Sequence, residues 1–270
     1  MEKSIFNFKI LYEDGELIDM HEDLSLWVSS FHIPSPDFDH ITESIDGRSG
    51  EIILETTLKG RTVKASFLAE SVNPIEFDKH RDNLFRVFNP LREFYIIRDL
   101  QPGKRLKAKV NTILDIDYLT PEDGEFTLEF LICSVFIEST GTTLNPEWGF
   151  QVKTNENVQY THSTQYFSIW NDGDIVVDPR EHFIKLLFNG SSVNLNIKNL
   201  TTGDIWSYSG NTTAGDNIEL NGIRSLKNGS SIFGQTNKKL ITLAPGMNEF
   251  EITGAIDPFE ISFDFSFLYL

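Results

Sequence analysis

Apolar and polar residues alternate at period two along most of the chain, most strongly at its end. In FEISFDFSFLYL (residues 259–270), Phe259, Ile261, Phe263, Phe265, Phe267 and Tyr269 fall on one side of an extended strand. Glu260, Ser262, Asp264 and Ser266 fall on the other. Such a strand either closes a sheet or offers a docking edge. Closure is the expectation, since aromatic burial offsets the fraying usual at a terminus. The same period runs through GEIILETTLKGRTVKASFLAE (50–70). There Ile52, Leu54 and Leu58, then Val63, Ala65, Phe67 and Ala69, predict a hairpin turning at Lys59-Gly60. Leu106, Ala108, Val110, Thr112, Leu114 and Ile116 mark a further strand. Phe126, Leu128, Phe130 and Ile132 mark another, whose second half turns apolar on both sides and is expected to be covered on both faces.

One helix interrupts this β pattern. Asn73-Pro74 supplies an N-cap and a proline at the first helical position, with Glu76 three residues past the cap. Phe77, Leu84, Phe85 and Phe88 form its apolar stripe, His80 and Arg81 lie off it and are expected in solvent, and Asn89-Pro90 stops it. Between about 138 and 160 the text becomes polar and turn-rich. Beyond it, turn signals punctuate short strands at NDGD (171–174), NGSS (189–192), TTGD (201–204), AGDN (214–217), NGIR (221–224) and APGMN (244–248). The fold class is therefore mainly β in two domains. Residues 1–140 form a β-rich domain with one helix at about 74–88, residues 141–160 a linker, and residues 161–270 a β-sandwich of jelly-roll type.

Charge narrows the function. The chain has 270 residues and a formal net charge of −17. Residues 1–140 hold 15 basic and 26 acidic side chains (net −11), and residues 141–270 hold 8 and 14 (net −6). Both halves being acidic argues against a surface that grips nucleic acid or anionic membrane. The single cysteine, Cys133, rules out an intrachain disulfide and is expected to be an inert buried thiol. The start MEKSIFNFKILYEDG lacks a signal-peptide pattern, and no apolar run has the length of a membrane span. The expectation is a soluble chain made in a cytoplasm. Sequons at Asn189, Asn199, Asn211 and Asn228 then read as turn chemistry.

Catalytic signatures are missing from this text. The six histidines show no metal-ligand spacing, and there is no P-loop and no G-x-S-x-G elbow. SPDFDHITESIDG (35–47) is expected as an acidic surface loop, since its carboxylates do not fit the spacing of a calcium loop. Trp170, Trp206 and Tyr208 are candidates for stacking against a sugar ring, weighed against simple core packing. Lys104, Arg105, Lys107 and Lys109 form the one basic cluster; cross-strand pairing and a subunit contact are its two readings.

A series of motifs across nearly the whole chain resembles the siphophage distal tail protein (Dit) family. It comprises NDGDIVVDP (171–179), LNIKNLTTGDIWSYSG (195–210), NGIRSLKNG (221–229), LAPGMNEFEITG (243–254) and the aromatic last strand. In the first half, Gly47, Arg48 and Gly50 match the family's glycine-arginine-x-glycine entry to a hairpin. Asn171, Gly173, Thr202, Gly203, Pro245, Gly246 and Asn248 match its turns. The resemblance implies a structural protein of the virion tail tip, made in the host cytoplasm, with no cofactor and no catalytic or metal site. Its first domain would form a homohexameric ring around the DNA ejection channel, DNA passing without specific binding. Its second would be a galectin-like sandwich. Implied partners are the tail tube protein, the tail-associated hub protein and a receptor-binding protein; no membrane is implied. Acidity lining such a channel would repel DNA in transit. Two alternatives stand beside this reading, a carbohydrate-binding module for cell-surface glycans and a glycan-cleaving enzyme.

Overall fold

The computed structural model describes residues 2–146 and 158–270 and divides into two compact units, 1–137 and 138–269, with Leu270 grouped with the first. Part of the expected linker, residues 147–157, lies outside the described residues.

The first unit contains β1 (Phe8–Tyr12), β2 (Leu17–Asp19), β3 (Leu26–His32), β4 (Asp37–Ser44), β5 (Glu51–Lys59) and β6 (Arg61–Glu70). Then follow α1 (Pro74–Val87), β7 (Phe94–Arg98), β8 (Gln101–Val110), β9 (Asp117–Tyr118) and β10 (Asp123–Ile132). Seven strands form an antiparallel sheet in the order β2-β1-β7-β8-β10-β6-β3, with β9 on β10. The even-numbered residues of β1, β7, β8 and β10 and the odd-numbered ones of β6 turn inward, so one sheet face is apolar. On it Phe8, Phe67, Phe94 and Phe130 pack, with Phe8–Phe130 and Phe94–Phe130 centroids 6.1 and 5.9 Å apart, nearly edge-on. Helix α1 covers this face. Asn73 accepts a hydrogen bond from the Glu76 amide at 2.9 Å, and Phe77, Leu84, Val87 and Phe88 are buried.

Four expectations need correction here. Phe85 is exposed, because the inward stripe runs through Val87 instead. His80 is half-buried, and its Nε2 has no partner. The end of β10 is not covered on both faces: Leu131 and Cys133 are exposed, so the thiol is accessible. Finally, β5 and β6 do not form a hairpin. β6 lies between β3 and β10, whereas among the described residues β5 pairs only with β4, the stretch expected as an acidic loop. At Gly60, between them, a Cβ would come within 2.3 Å of the Ile132 carbonyl oxygen, so only glycine lets the chain cross there.

The second unit contains β11 (Ile137–Ser139), β12 (Thr161–His162), β13 (Tyr166–Asn171), β14 (Ile184–Asn199), β15 (Ile205–Ser207), β16 (Asn211–Thr212) and β17 (Asn217–Asn221). It continues with β18 (Arg224–Lys227), β19 (Ser230–Ser231), β20 (Gly246–Phe265) and β21 (Leu268–Tyr269). Its spine is the antiparallel pair β14–β20, whose register shifts at Gly190/Ser191 and again between Ser192 and Asn196. These bulges divide both long strands into halves. One half carries β12 and β17, the other β13 and β15. The halves fold face to face as a sandwich, with the Phe250 and Phe263 rings 4.8 Å apart and Trp206 Nε1 donating to Ser225 Oγ at 3.2 Å.

The terminal strand is interior. β14 flanks one side, and along the other the Phe263 amide donates to Tyr160 O, Phe265 to Thr143 Oγ1 and Phe267 to Ser139 Oγ. Its polar side is covered in part, with Ser262 and Ser266 buried, Asp264 half-buried and Glu260 exposed. Residues 139–143, partly expected as linker, are thus hydrogen-bonded into this unit.

Candidate functional site

β4 and β5 carry the most exposed apolar and acidic surface of the first unit. They form a separate two-stranded sheet in which every residue but Ile52 is exposed, including Phe38 at 52% and Ile53 at 60%. The turn at its tip is closed by the Arg48 amide donating to Ile45 O at 3.1 Å. Gly47 and Gly50 take φ of +82° and +88° there, which glycine alone adopts freely. A two-stranded ribbon is at best marginally stable in water by itself, so this arm reads as a surface made to be covered.

Its two sides differ. The pairs Phe38–Leu58 and His40–Thr56 make one side; the Phe38 and His40 rings lie 4.9 Å apart, and His40 Nδ1 is 2.9 Å from Thr56 Oγ1. Asp37–Lys59, Asp39–Thr57 and Ile41–Glu55 make the other, where Lys59 pairs with Asp39. A bulge at Leu54 shifts β5 by one residue, after which Glu43 continues the acidic side. Between residues 37 and 59 six carboxylates face two cations, Arg48 and Lys59.

Arg61 fixes the root of the arm. It is 4% exposed and donates to Pro34 O at 3.2 Å and Val135 O at 2.6 Å, while its Nε has no partner among the described residues. Burial pulls the guanidinium pKa below its ordinary value, as expected of a cation whose partners are two carbonyls rather than a carboxylate. The residues before β4, after β5 and after β10 are thereby tied at one point. Sequence patterning gave no hint of this; a lone arginine directly after a glycine crossing is the only signal.

On the outer face of the large sheet, Arg105, Lys107 and Lys109 alternate with buried Leu106, Ala108 and Val110. Arg105 stacks over Tyr95 at 4.2 Å, and Lys107 pairs with Glu93 at 3.1 Å and Glu13 at 3.7 Å. The hydrogen bond to Glu93 raises the Lys107 pKa. Lys109 has no ion-pair partner among the described residues. Among those residues, too, no cluster of three or more His, Cys, Asp or Glu is arranged to hold a metal ion.

The family model for the phage tail protein RIFT-related domain matches residues 21–132, a span that contains the arm, Arg61 and the basic strand. The fold of the whole chain is shared with the Dit protein of phage SPP1, described as a paradigm of the hub adsorption apparatus in phages infecting Gram-positive bacteria. The TM-score is 0.69 at 14% identity, covering 96% of this chain and 99% of that one. A chain of the phage p2 baseplate in its activated conformation aligns over 96% of this chain and 97% of its own, with TM-score 0.48 and 8% identity. None of the curated proteins matches by sequence.

The motif residues fall in two places. Gly47, Arg48 and Gly50 form the arm tip within the matched span; the others lie in the second unit. Asn171 is buried, donates to Ile175 O at 3.1 Å and accepts from the Gly173 amide at 3.0 Å. A Cβ on Gly173 would lie 2.6 Å from Leu268 O, so close approach rather than backbone angle demands glycine there. Thr202 Oγ1 donates to Asp204 at 2.8 Å beside Gly203, and Asn248 spans the Pro245–Gly246 turn by accepting from the Ala244 amide and donating to Ala244 O, both at 2.8 Å. Asn199, fully buried, donates to Asn248 Oδ1 at 3.1 Å and to Thr242 O at 2.8 Å. These residues hold turns and come together at no ligand-binding surface. The sugar-stacking candidates need correction as well. Trp206 and Tyr208 are buried between the sheets, leaving no ring face for a glycan, and Trp170 is half-buried with its Nε1 donating to Asp172.

Proposed function

We propose that this chain is a structural, non-enzymatic subunit of a phage tail hub. It assembles as a homohexameric ring at the virion tail tip, between the tail tube protein and the tail-associated hub protein, with DNA passing through the ring unbound. The observation that carries this reading is the β4–β5 arm, which exposes Phe38, Ile41, Ile53, Leu54 and Leu58 and is covered by no other element among the described residues. A neighbouring copy in a closed ring is an economical cover for such a surface, since every copy then gives and receives one arm. The RIFT-related domain and the fold shared with the SPP1 Dit protein support it. The second unit, whose turns are occupied with structural hydrogen bonds, would present itself to a receptor-binding protein.

Electron microscopy of the purified chain tests the reading directly. Six-fold rings are expected, and they should vanish when residues 38–58 are replaced by a two-residue turn. A wild-type chain that is monomeric at every concentration overturns it.

A further inference from the structure

The ring reading leaves open what the arm docks on, and the charge map of the first unit answers it. In a chain of net charge −17, the outer face of β8 presents three cations in a row, Arg105, Lys107 and Lys109. The arm has a row of the opposite sign, with Asp37, Asp39 and Glu43 on one side of β4 and Glu55 beside them on β5. Both rows lie along one side of an extended strand, where alternate positions repeat at about 6.6 Å; Ile41 takes the position between Asp39 and Glu43, with Glu55 opposite it. The floor of the basic row is apolar: Tyr95 lies opposite Lys107 and Ile97 opposite Arg105, and exposed Leu131 pairs with Lys109.

We infer that the acidic side of one copy's arm lies across the outer face of β7 and β8 of a second copy, with Arg105, Lys107 and Lys109 as the receiving row. This rests on the ring reading and adds the surface on which the ring closes. The same charges disfavour the wrong pairing: two arms meeting acidic side to acidic side repel. Surface ion pairs contribute little each, so Ile41 and Ile52, on the same side of the arm as the carboxylates, meet the apolar floor while the charge rows set the register.

The test is sedimentation velocity on the full chain at two salt concentrations. Lys107→Glu with Lys109→Glu should weaken self-association by about tenfold or more, as should Glu43→Lys with Glu55→Lys; combining all four should restore most of it. Unchanged melting of each variant separates docking from folding. As a second measurement, Glu43→Cys and Lys109→Cys in a Cys133→Ser background should give intermolecular disulfides on oxidation, whereas Glu43→Cys with Ser207→Cys should not. If the reversed rows associate like wild type while loss of the arm dissociates the ring, this docking site is wrong and the ring reading stands. If wild type and the arm-deleted chain behave alike, the ring reading itself fails. DNA retardation by the wild type that Lys109→Glu abolishes would assign the row to nucleic acid and overturn the inference.

Discussion

The arm and the terminal strand are both strongly patterned strands with opposite fates. In the terminal strand Ile261, Phe263, Phe265 and Phe267 are buried to within 1%, packed in a sandwich closed by the chain's own residues. In the arm Phe38 and Leu58 face each other on one side, Leu54 sits at the bulge, and all three remain in solvent. Period two therefore reports that a segment is extended, not that its apolar side is covered within the same chain. What separates the two is the other side, which on the arm is exposed and carries four carboxylates, whereas in the terminal strand Ser262 and Ser266 are buried, Asp264 is half-buried and only Glu260 is exposed. Buried serine hydroxyls are accommodated by hydrogen bonds, such as that of Ser266 to Gly141 O, whereas a row of carboxylates on a covered face needs cations opposite.

The sharpest way to break this comparison is to remove each segment in turn. Deleting residues 263–270 should abolish the cooperative melting of the second unit, whereas replacing 38–58 by a short turn should leave both units folded, as calorimetry would show. At single residues, Phe263→Ala should cost about 3–5 kcal/mol in urea unfolding and Phe38→Ala less than about 0.5 kcal/mol. Equal costs would mean that the arm is packed in the isolated chain. Arg61→Met lies between these, because it leaves the Pro34 and Val135 carbonyls without their donor at the arm root. A loss of about 1–3 kcal/mol is expected, together with faster amide exchange in β4 and β5.

The smallest effect concerns pH. Burial holds the His80 imidazole below its ordinary pKa, partly offset by its hydrogen bond with the Leu24 backbone. Its contribution to stability is complete above about pH 6.5 and is lost as pH falls toward the lower folded-state value, because only the unfolded chain binds the proton in that window. The slope from one such group is at most about 1.4 kcal/mol per pH unit, and half-burial reduces it. His80→Gln should flatten the melting profile of the first unit between pH 7 and 5 while leaving that of the second unchanged.

Local rules were legible where the chain solves a local problem. Asn73, Pro74 and Glu76 announce the helix start, and Gly47, Gly203 and Gly246 sit in turns with φ near +80°. Partner choice was not legible. β5 and β6 are separated only by Gly60 and look like a hairpin, yet β6 is drawn into the large sheet by Val63, Ala65 and Phe67, and β5 is left to pair with β4. That outcome depends on contacts with β10, more than 50 residues away, and on the tie that Arg61 makes to Val135. The arm was half visible: its acidic strand looked like a loop because charged residues are depleted in covered strands, and this one is uncovered in the single chain.

The burial of Asn199 has a practical consequence for how the protein can be produced. The residue begins an Asn-Leu-Thr sequon, and its amide nitrogen serves both Thr242 and Asn248 inside the second unit. A eukaryotic secretory pathway would attach oligosaccharide to that nitrogen before the sandwich closes. The bulky glycan would then occupy the place of two internal hydrogen bonds, so a secreted preparation would suffer failed folding of this unit rather than merely a decorated surface.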